Sequence, residues 1–407
     1  MTDRWRISGL LGLILLFSVG CGGGSAAHST AAKTTPAATP TSPTPTPASV
    51  PSGPFAVAVT NSGRQGVSYQ IDLIDDSAHV IASATAALPH VKPNQTVSPP
   101  LVSASNDTVY FLDGDTDIRS LSPSGHTALV KSIAAGASSI LAFSVSPDDQ
   151  RIAVGLISQA SDPTRSTSTG YVEDLADTSN HVTVWSNVGD AALRWPAGWH
   201  DGRLVDEITA QNGCGYGYGG QGTSACSYHV ADASTGNRVA TVCETPSHQP
   251  LTGSSYYTLD GFPTPAGVAC SEDQQANGGC GNLNGSDTYT ITAVDWTGRE
   301  HDFFSKATNT CGGIASPVNG CNLSTDGSLM ACQDSTSQAV TLLRPDGSTH
   351  SLGRKYAVLG WIDSNHLFVE VDASTLGVVL TDTGALTSIA LEHADQIAME
   401  TPLPGAL

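Results

Sequence analysis

Two series of polar turns recur in strict order along this chain, and only short β-type segments run between them. The first series is a strand, a tight polar turn and a second strand. It is clearest at Ser144-Val145-Ser146-Pro147-Asp148-Asp149-Gln150-Arg151-Ile152-Ala153-Val154 and again at Asn322-Leu323-Ser324-Thr325-Asp326-Gly327-Ser328-Leu329-Met330-Ala331. Looser copies surround Asn106-Asp107, Asp201-Gly202 and Asp363-Ser364-Asn365. The second series adds seven hairpin turns, at residues 75–77, 122–125, 177–180, 233–236, 296–298, 344–347 and 382–384. Their Asp, Asn and Gly residues tolerate the positive φ values that tight hairpins require. Two hairpins make four antiparallel strands per unit, and no segment keeps the 3.6-residue apolar spacing of a helix over three turns. Four-stranded units in tandem are the blades of a β-propeller. The expected fold is therefore all-β: a single ring of seven four-stranded blades.

The inner hairpins at residues 146–153 and 324–331 resemble the Ser-Pro-Asp-Gly-x-x-Ile-Ala repeat of WD40-like propellers in TolB-type periplasmic proteins. The resemblance spans residues 55–391 with two clear copies, and it implies fold rather than activity. The Trp-Asp and Gly-His signatures of eukaryotic WD40 blades are absent. Units begin near Phe55, Pro99, Leu141, Ala192, Thr258, Asn322 and Val358. The fourth and fifth are enlarged by Gly- and Cys-rich segments around residues 212–226 and 270–287. Long loops on a rigid scaffold are where specificity is usually carried, although disulfides can equally secure insertions that have no task. The first unit has only three strands of its own. Residues 396–400 are expected to return as its innermost strand, because an open ring would leave two unpaired edges.

Residues 1–20 have the layout of a secretory signal: Arg4 and Arg6, an apolar run from Ile7 to Val19, then Gly20-Cys21. The apolar run falls short of the roughly 20 residues of a spanning helix. Phe17-Ser18-Val19-Gly20-Cys21 resembles the bacterial lipobox, whose cysteine receives a diacylglyceryl group; Ser18 departs from the usual apolar residue. The alternative is an ordinary cleaved signal with an incidental cysteine. Residues 21–54 are almost entirely Ala, Thr, Ser and Pro after the glycines that follow Cys21. Such a composition cannot bury a core and predicts a disordered, semi-stiff spacer. The expected organisation is a lipoprotein signal peptide (1–20), a lipidated Cys21 with its linker (21–54) and the propeller (55–407). Membrane anchoring then places the domain on the extracytoplasmic face.

The chain holds 37 acidic against 17 basic residues, a formal net charge of −20. That balance repels nucleic acid and anionic headgroups, so a nucleic-acid partner is not expected. Eight cysteines follow Cys21: Cys214, Cys226, Cys243, Cys270, Cys280, Cys311, Cys321 and Cys332. None forms a C-x-x-C pair, and an even number in an exported chain points to disulfides rather than zinc. Short loops favour Cys214–Cys226, Cys270–Cys280 and Cys311–Cys321, which leaves Cys243–Cys332.

The search for chemistry finds little. Residues 215–220 spell a G-x-G-x-x-G, but dinucleotide binding needs that motif between a strand and a helix. Asp113-Gly114-Asp115-Thr116-Asp117 opens like a calcium loop, yet Ile118 and Ser124 stand where an EF-hand needs Gly and Glu. It reads as an Asp-rich turn. No G-x-S-x-G elbow and no H-E-x-x-H helix is present. No catalytic residue, metal ligand or cofactor is assigned. Trp195, Trp199, Trp296 and Trp361 are expected between blades. Tyr216, Tyr218, Tyr256 and Tyr257 gather in the enlarged units and are the candidates for ligand stacking. The reading is a monomeric, lipid-anchored binding or scaffold module for a protein, peptide or glycan. Its alternatives are a lyase or hydrolase with a site at the central channel, and a structural envelope component docking on a membrane complex.

Overall fold

The computed structural model describes residues 53, 55–60, 67–188, 192–210, 225–243, 256–259, 263–273, 287–308, 318–334, 339–372, 375–389 and 397–401. They form seven four-stranded antiparallel sheets arranged as the blades of a β-propeller. Blade 2 is β4 (Val102–Ala104), β5 (Val109–Asp113), β6 (Asp117–Leu121) and β7 (Thr127–Ser132). Blade 3 is β8 (Ile140–Val145), β9 (Arg151–Ser158), β10 (Thr167–Asp174) and β11 (Val182–Val188). Blade 4 is β12 (Ala192–His200), β13 (Arg203–Ala210), β14 (Ala225–Ala231) and β15 (Arg238–Val242). Blade 5 is β16 (Tyr256–Leu259), β17 (Val268–Asp273), β18 (Asp287–Val294) and β19 (Glu300–Thr308). Blade 6 is β20 (Val318–Leu323), β21 (Met330–Asp334), β22 (Ala339–Leu343) and β23 (Thr349–Lys355). Blade 7 is β24 (Ala357–Trp361), β25 (His366–Asp372), β26 (Thr375–Leu380) and β27 (Ala385–Ile389). Within each sheet the first strand lies innermost, and the first strands of blades 2 and 3, 3 and 4, and 6 and 7 meet one another.

Blade 1 differs. Its order is β28–β1–β2–β3, with β1 (Phe55–Thr60), β2 (Ser68–Asp75) and β3 (Val80–Ala87) completed by the last strand, β28 (Ile397–Thr401). Val57 pairs with Thr401 and Val59 with Met399. The C-terminal segment therefore returns as the innermost strand, and the ring closes.

The core is a set of layers, each between two blades. Val57, Tyr69 and Leu73 of blade 1 pack on Val109, Phe111 and Leu121 of blade 2. The remaining seams repeat this, ending with Ala56, Ala58 and Ile74 against Leu359, Phe368 and Val378 of blade 7. Strands inside a blade thus bury both faces, which is why β8 is buried at every position and reads as a continuous apolar run. Outermost strands such as β23 are largely exposed.

Local chemistry sets the hairpins. In both clear repeats the serine hydroxyl donates to the aspartate two residues on, Ser146 to Asp148 at 2.6 Å and Ser324 to Asp326 at 2.8 Å. The same hydroxyls accept the N–H of Arg151 and Leu329 across the turn. The seven turns of the second series all finish on a left-handed residue: Ala78, Gly125, Asn180, Gly236, Gly298, Gly347 and Gly384. Asp75, Asp232 and Asp295 each use Oδ1 to accept two backbone N–H groups of their own turn.

All four expected tryptophans are buried. Trp199 Nε1 donates to the Ser144 carbonyl of the preceding blade, and Trp361 Nε1 donates to Asn322 in the same way three blades later. Trp185 lies against Gly170, where any Cβ would collide with its ring.

The expected disulfide pairing is corrected. Cys243, just beyond β15, pairs with Cys270 on β17, joining blade 4 to blade 5. Cys321 pairs with Cys332 across the first hairpin of blade 6. These replace Cys270–Cys280, Cys311–Cys321 and Cys243–Cys332. Short separation missed Cys243–Cys270 because a propeller sets the rim of one blade beside the second strand of the next, and it chose the wrong neighbour of Cys321, whose hairpin partner is Cys332. Cys21, Cys214, Cys280 and Cys311 lie outside the described residues, and for Cys226 only the backbone is described.

Deleting residues 397–407 should open the ring and lower the thermal midpoint by more than about 10 °C or abolish the cooperative transition. An unchanged melting curve by circular dichroism would contradict closure by β28. Replacing Cys243 and Cys270 by alanine should cost about 3–4 kcal/mol in urea unfolding, the loop entropy released from the denatured chain.

Candidate functional site

Strand direction gives the ring two unlike ends. The turns from first to second strand and from third to fourth strand share one end, here the turn end. The connections from second to third strand, and from each blade to the next, share the other. Turn-end hairpins are short: residues 201–202 join β12 to β13, and residues 344–348 join β22 to β23. The opposite end carries the long connections of the chain's middle, at residues 211–224, 243–255, 274–286 and 309–317. Cys243–Cys270 stands at the foot of two of them.

The tyrosine candidates divide accordingly. Tyr216 and Tyr218, with the G-x-G-x-x-G, fall outside the described residues. Tyr256 and Tyr257 open β16, the innermost strand of blade 5, at the long-connection end; their backbones pair with Asp273 and Glu272. The Asp-rich segment at 113–117 is a tight hairpin between β5 and β6. Its carboxylates serve protein donors: Asp113 takes the Ala87 N–H and Arg119, Asp117 takes Ser132, and Asp115 takes His90 and Lys92. Burial is outweighed there by the hydrogen bonds from Lys92 and His90 and the charge of Lys92, which hold Asp115 at about 2.

One constellation went unassigned in the sequence. Arg194, Asp206, His229 and Arg238 come one from each strand of blade 4 and form a charged layer across it. Arg194 grips Asp206 Oδ2 through Nε at 2.8 Å and Nη2 at 2.5 Å. Its guanidinium lies 5.0 Å from the Trp185 ring of blade 3. Ser168 ties the same seam, accepting from Trp185 Nε1 and donating to the Arg194 carbonyl. Asp206 is fully buried, and register sets it opposite His229. Arg238 stands 3.0 Å from His229 Nε2, which must accept, so the neutral ring carries its proton on Nδ1. That donor and the acceptor Asp206 Oδ1 are both buried without a hydrogen-bond partner among the described residues. The legible signal was phase: Asp206 stands between Leu204 and Ile208, on the strand face that packs on blade 3.

Burial raises Asp206 to about 6, against the pull of Arg194. Burial, with Arg194 and Arg238, lowers His229 to about 3. The two consequences for stability oppose each other. The ionised form of Asp206 is disfavoured in the fold, so its contribution improves as pH falls from about 6 to its unfolded value near 3.8. For His229 the unfolded chain takes up the proton first, so its contribution is lost as pH falls from 6.5 towards about 3. Near pH 5 the folded chain holds a proton on Asp206 and the unfolded chain holds one on His229, so the two linkages cancel.

This layer stiffens blade 4 and, through Arg194 over Trp185, ties it to blade 3; Asp206 is fully buried at its centre, while Arg238 at its outer edge is exposed. The Asp206→Asn variant should start about 3–5 kcal/mol less stable, with Arg194 left buried beside a neutral amide. Its deficit should then widen by up to about 1.4 kcal/mol per pH unit between pH 6 and 4, where the histidine's linkage is uncovered. Urea titrations across that range measure both effects, and a constant deficit would exclude the proton exchange.

No family model matches this chain, and no curated protein does. Similar solved structures include an oligogalacturonate lyase in complex with manganese, 12% identical with a TM-score of 0.43, covering 80% of this chain and 84% of that one. An oligogalacturonate lyase from Vibrio parahaemolyticus is 9% identical with a TM-score of 0.44, covering 82% and 90%. The propeller domain of Swd1 from Myceliophteria thermophila is 11% identical with a TM-score of 0.37, covering 83% and 96%. The fold assignment rests on strand order and ring closure in this chain itself.

Proposed function

We propose that this chain is a lipid-anchored extracytoplasmic binding module, tethered through Cys21 and engaging a protein, peptide or glycan with the long-connection end of its propeller. The observation that carries the reading is the division of labour between the two ends. Phe55, where the ring begins, pairs with Asp75 beside a turn-end hairpin, and β28 finishes at that end too. A tether preceding Phe55 therefore joins the ring at the turn end and leaves the long connections of blades 4 and 5 unobstructed. The turn end is also lined with aspartates, among them Asp76, Asp177, Asp346 and Asp382, which disfavours its lying flat on anionic headgroups.

Binding through variable connections on a rigid ring needs no catalytic group.

A photo-crosslinking residue in place of Gln275, in the 274–286 connection, should trap a discrete adduct in intact cells. The same residue in place of Thr297, at the turn end of the same blade, should not. Equal labelling from both positions would defeat the assignment of the binding end. Separately, Cys21→Ser should move the protein from the membrane fraction to the soluble fraction, and unchanged fractionation would defeat the anchor.

A further inference from the structure

We infer that residues 90–98, within the connection from blade 1 to blade 2, are a strap seated on a site for an extended peptide, and that a partner's peptide takes their place. The inference rests on the binding end proposed above and names the kind of ligand that end accepts.

The route of the strap is the first observation. It joins β3 to β4, yet it travels past blade 2 before it returns. Asp115 of blade 2 accepts the His90 N–H at 2.9 Å and pairs with Lys92 Nζ at 2.9 Å. Thr96 then meets Gln159, just beyond β9 of blade 3. Val97 packs on Ile140 and Ile157 of blade 3 and on Leu193 and Trp195 of blade 4. These groups share the long-connection end: Asp115 lies in the turn from second to third strand, and Ile140 and Leu193 lie near the starts of innermost strands. A link that only had to reach β4 would be shorter. Residues 133–139 join β7 to β8, and Tyr356 alone joins β23 to β24.

The contacts are those a receptor makes to a peptide. Gln159 is buried and turns its amide on the strap: Oε1 accepts the Thr96 N–H at 2.8 Å, and Nε2 donates to Thr96 Oγ1 at 2.7 Å. A side-chain carbonyl that takes a main-chain N–H accepts an extended chain of almost any sequence. Thr96 is itself exposed, and within residues 90–98 Val97 alone joins an apolar cluster. One small side chain, one amide and one carboxylate pair therefore hold the strap, and each contact is one that a second peptide can make.

The recess beneath Val97 is also left incomplete. Trp185, Trp199, Trp296 and Trp361 all donate their indole N–H. Trp195 Nε1 is buried without a hydrogen-bond partner among the described residues. An unmade buried donor is costly, so a ligand that brings a carbonyl to this indole gains what the strap leaves unmade. The ligand is an extended segment with a cation for Asp115 and a small branched side chain for the recess, spaced as Lys92 and Val97 are. Tethered at both ends, the strap competes at an effective concentration on the order of millimolar, which weakens ligand binding to the intact chain.

Two full-length variants test the site: one with residues 90–98 replaced by Gly and Ser, and the milder Val97→Ser, which empties the recess and keeps the strap. A fluorescent synthetic peptide of residues 88–99 should bind the first saturably. It should bind the unaltered chain at least about tenfold more weakly, with Val97→Ser between the two. Val97→Asp within the peptide should abolish binding, and Gln159→Ala in the replaced chain should weaken it about tenfold. Absence of saturable binding to either variant, or equal binding to all three chains, would overturn the site. So would loss of the cooperative melt in both variants, since the strap would then be core. The Gln275 adduct reports on the binding end separately: adduct formation without peptide binding leaves that end standing and removes the strap site.

Discussion

Pairing of β28 with β1 turns a row of seven sheets into a ring, and the rest of the molecule depends on that step. No blade has a core of its own. Each face of Phe55–Thr60 is buried, one against blade 2 and the other against blade 7, and blade 7 would have nothing to cover Phe368 and Val378 in an open ring. Closure by the opposite end of the chain also makes the apolar layers mutually dependent, because every blade then has two neighbours. The hydrophobic contribution is therefore collective: at about 25 cal/mol per Å² of apolar surface removed from water, each seam contributes only while both sheets are present.

Apolar layers alone are poor at fixing how far one blade slides past another, and the seams carry directional ties. Trp199 and Trp361 occupy equivalent places at the ends of innermost strands, and each indole reaches a carbonyl on the innermost strand before it. Tyr69 makes a tie in the other direction, from the third strand of blade 1 forward to the Leu112 carbonyl on the second strand of blade 2. Lys131 crosses from blade 2 to blade 3, donating to the carbonyls of Asp174 and Asp177 and pairing with Glu173 at 2.9 Å. Between blades 3 and 4 the tie is Ser168, bonded to the Arg194 backbone, with the Arg194 guanidinium over Trp185 and anchored from behind by Asp206, and between blades 4 and 5 it is the Cys243–Cys270 bond. Different chemistry meets one geometric need. A buried ion pair is weak as a source of stability but strict about geometry, which suits a seam whose register must be unique.

What was legible in the sequence was local. Asp-Gly and Ser-x-Asp turns announce themselves because the aspartate bonds to its own turn, within two to four residues. Counting such turns gave blade number, and the strand missing from the first unit gave closure by residues near 396–400. The disulfides were misread for the complementary reason: Cys243 and Cys270 meet only because the rim of blade 4 lies beside blade 5, and spacing carries no trace of that. The charged layer in blade 4 was half legible, since Asp206 is in phase with Leu204 and Ile208, but its partners come from three other strands. Of the tyrosine candidates, the backbones of Tyr256 and Tyr257 stand at the long-connection end, while Tyr216 and Tyr218 belong to residues not described.

The same turn chemistry explains why the two ends differ. At the turn end a hairpin is held by its own aspartate, serine and left-handed residue, so lengthening it would unmake the bonds that define it. Asp232 is kept down at about 2 mainly by the Ser234 hydroxyl and the N–H groups of its turn, so its charge is part of the fold. Much of the net charge of −20 is accordingly structural and needs no cationic partner to explain it. At the other end the only requirement is to reach the next strand. Residues 114–116 suffice between the second and third strands of blade 2, whereas residues 211–224 and 274–286 do the equivalent work in blades 4 and 5. Variation collects where the backbone imposes least, and the inter-blade disulfide binds the start of the connection from blade 4 to blade 5 to the second strand of blade 5.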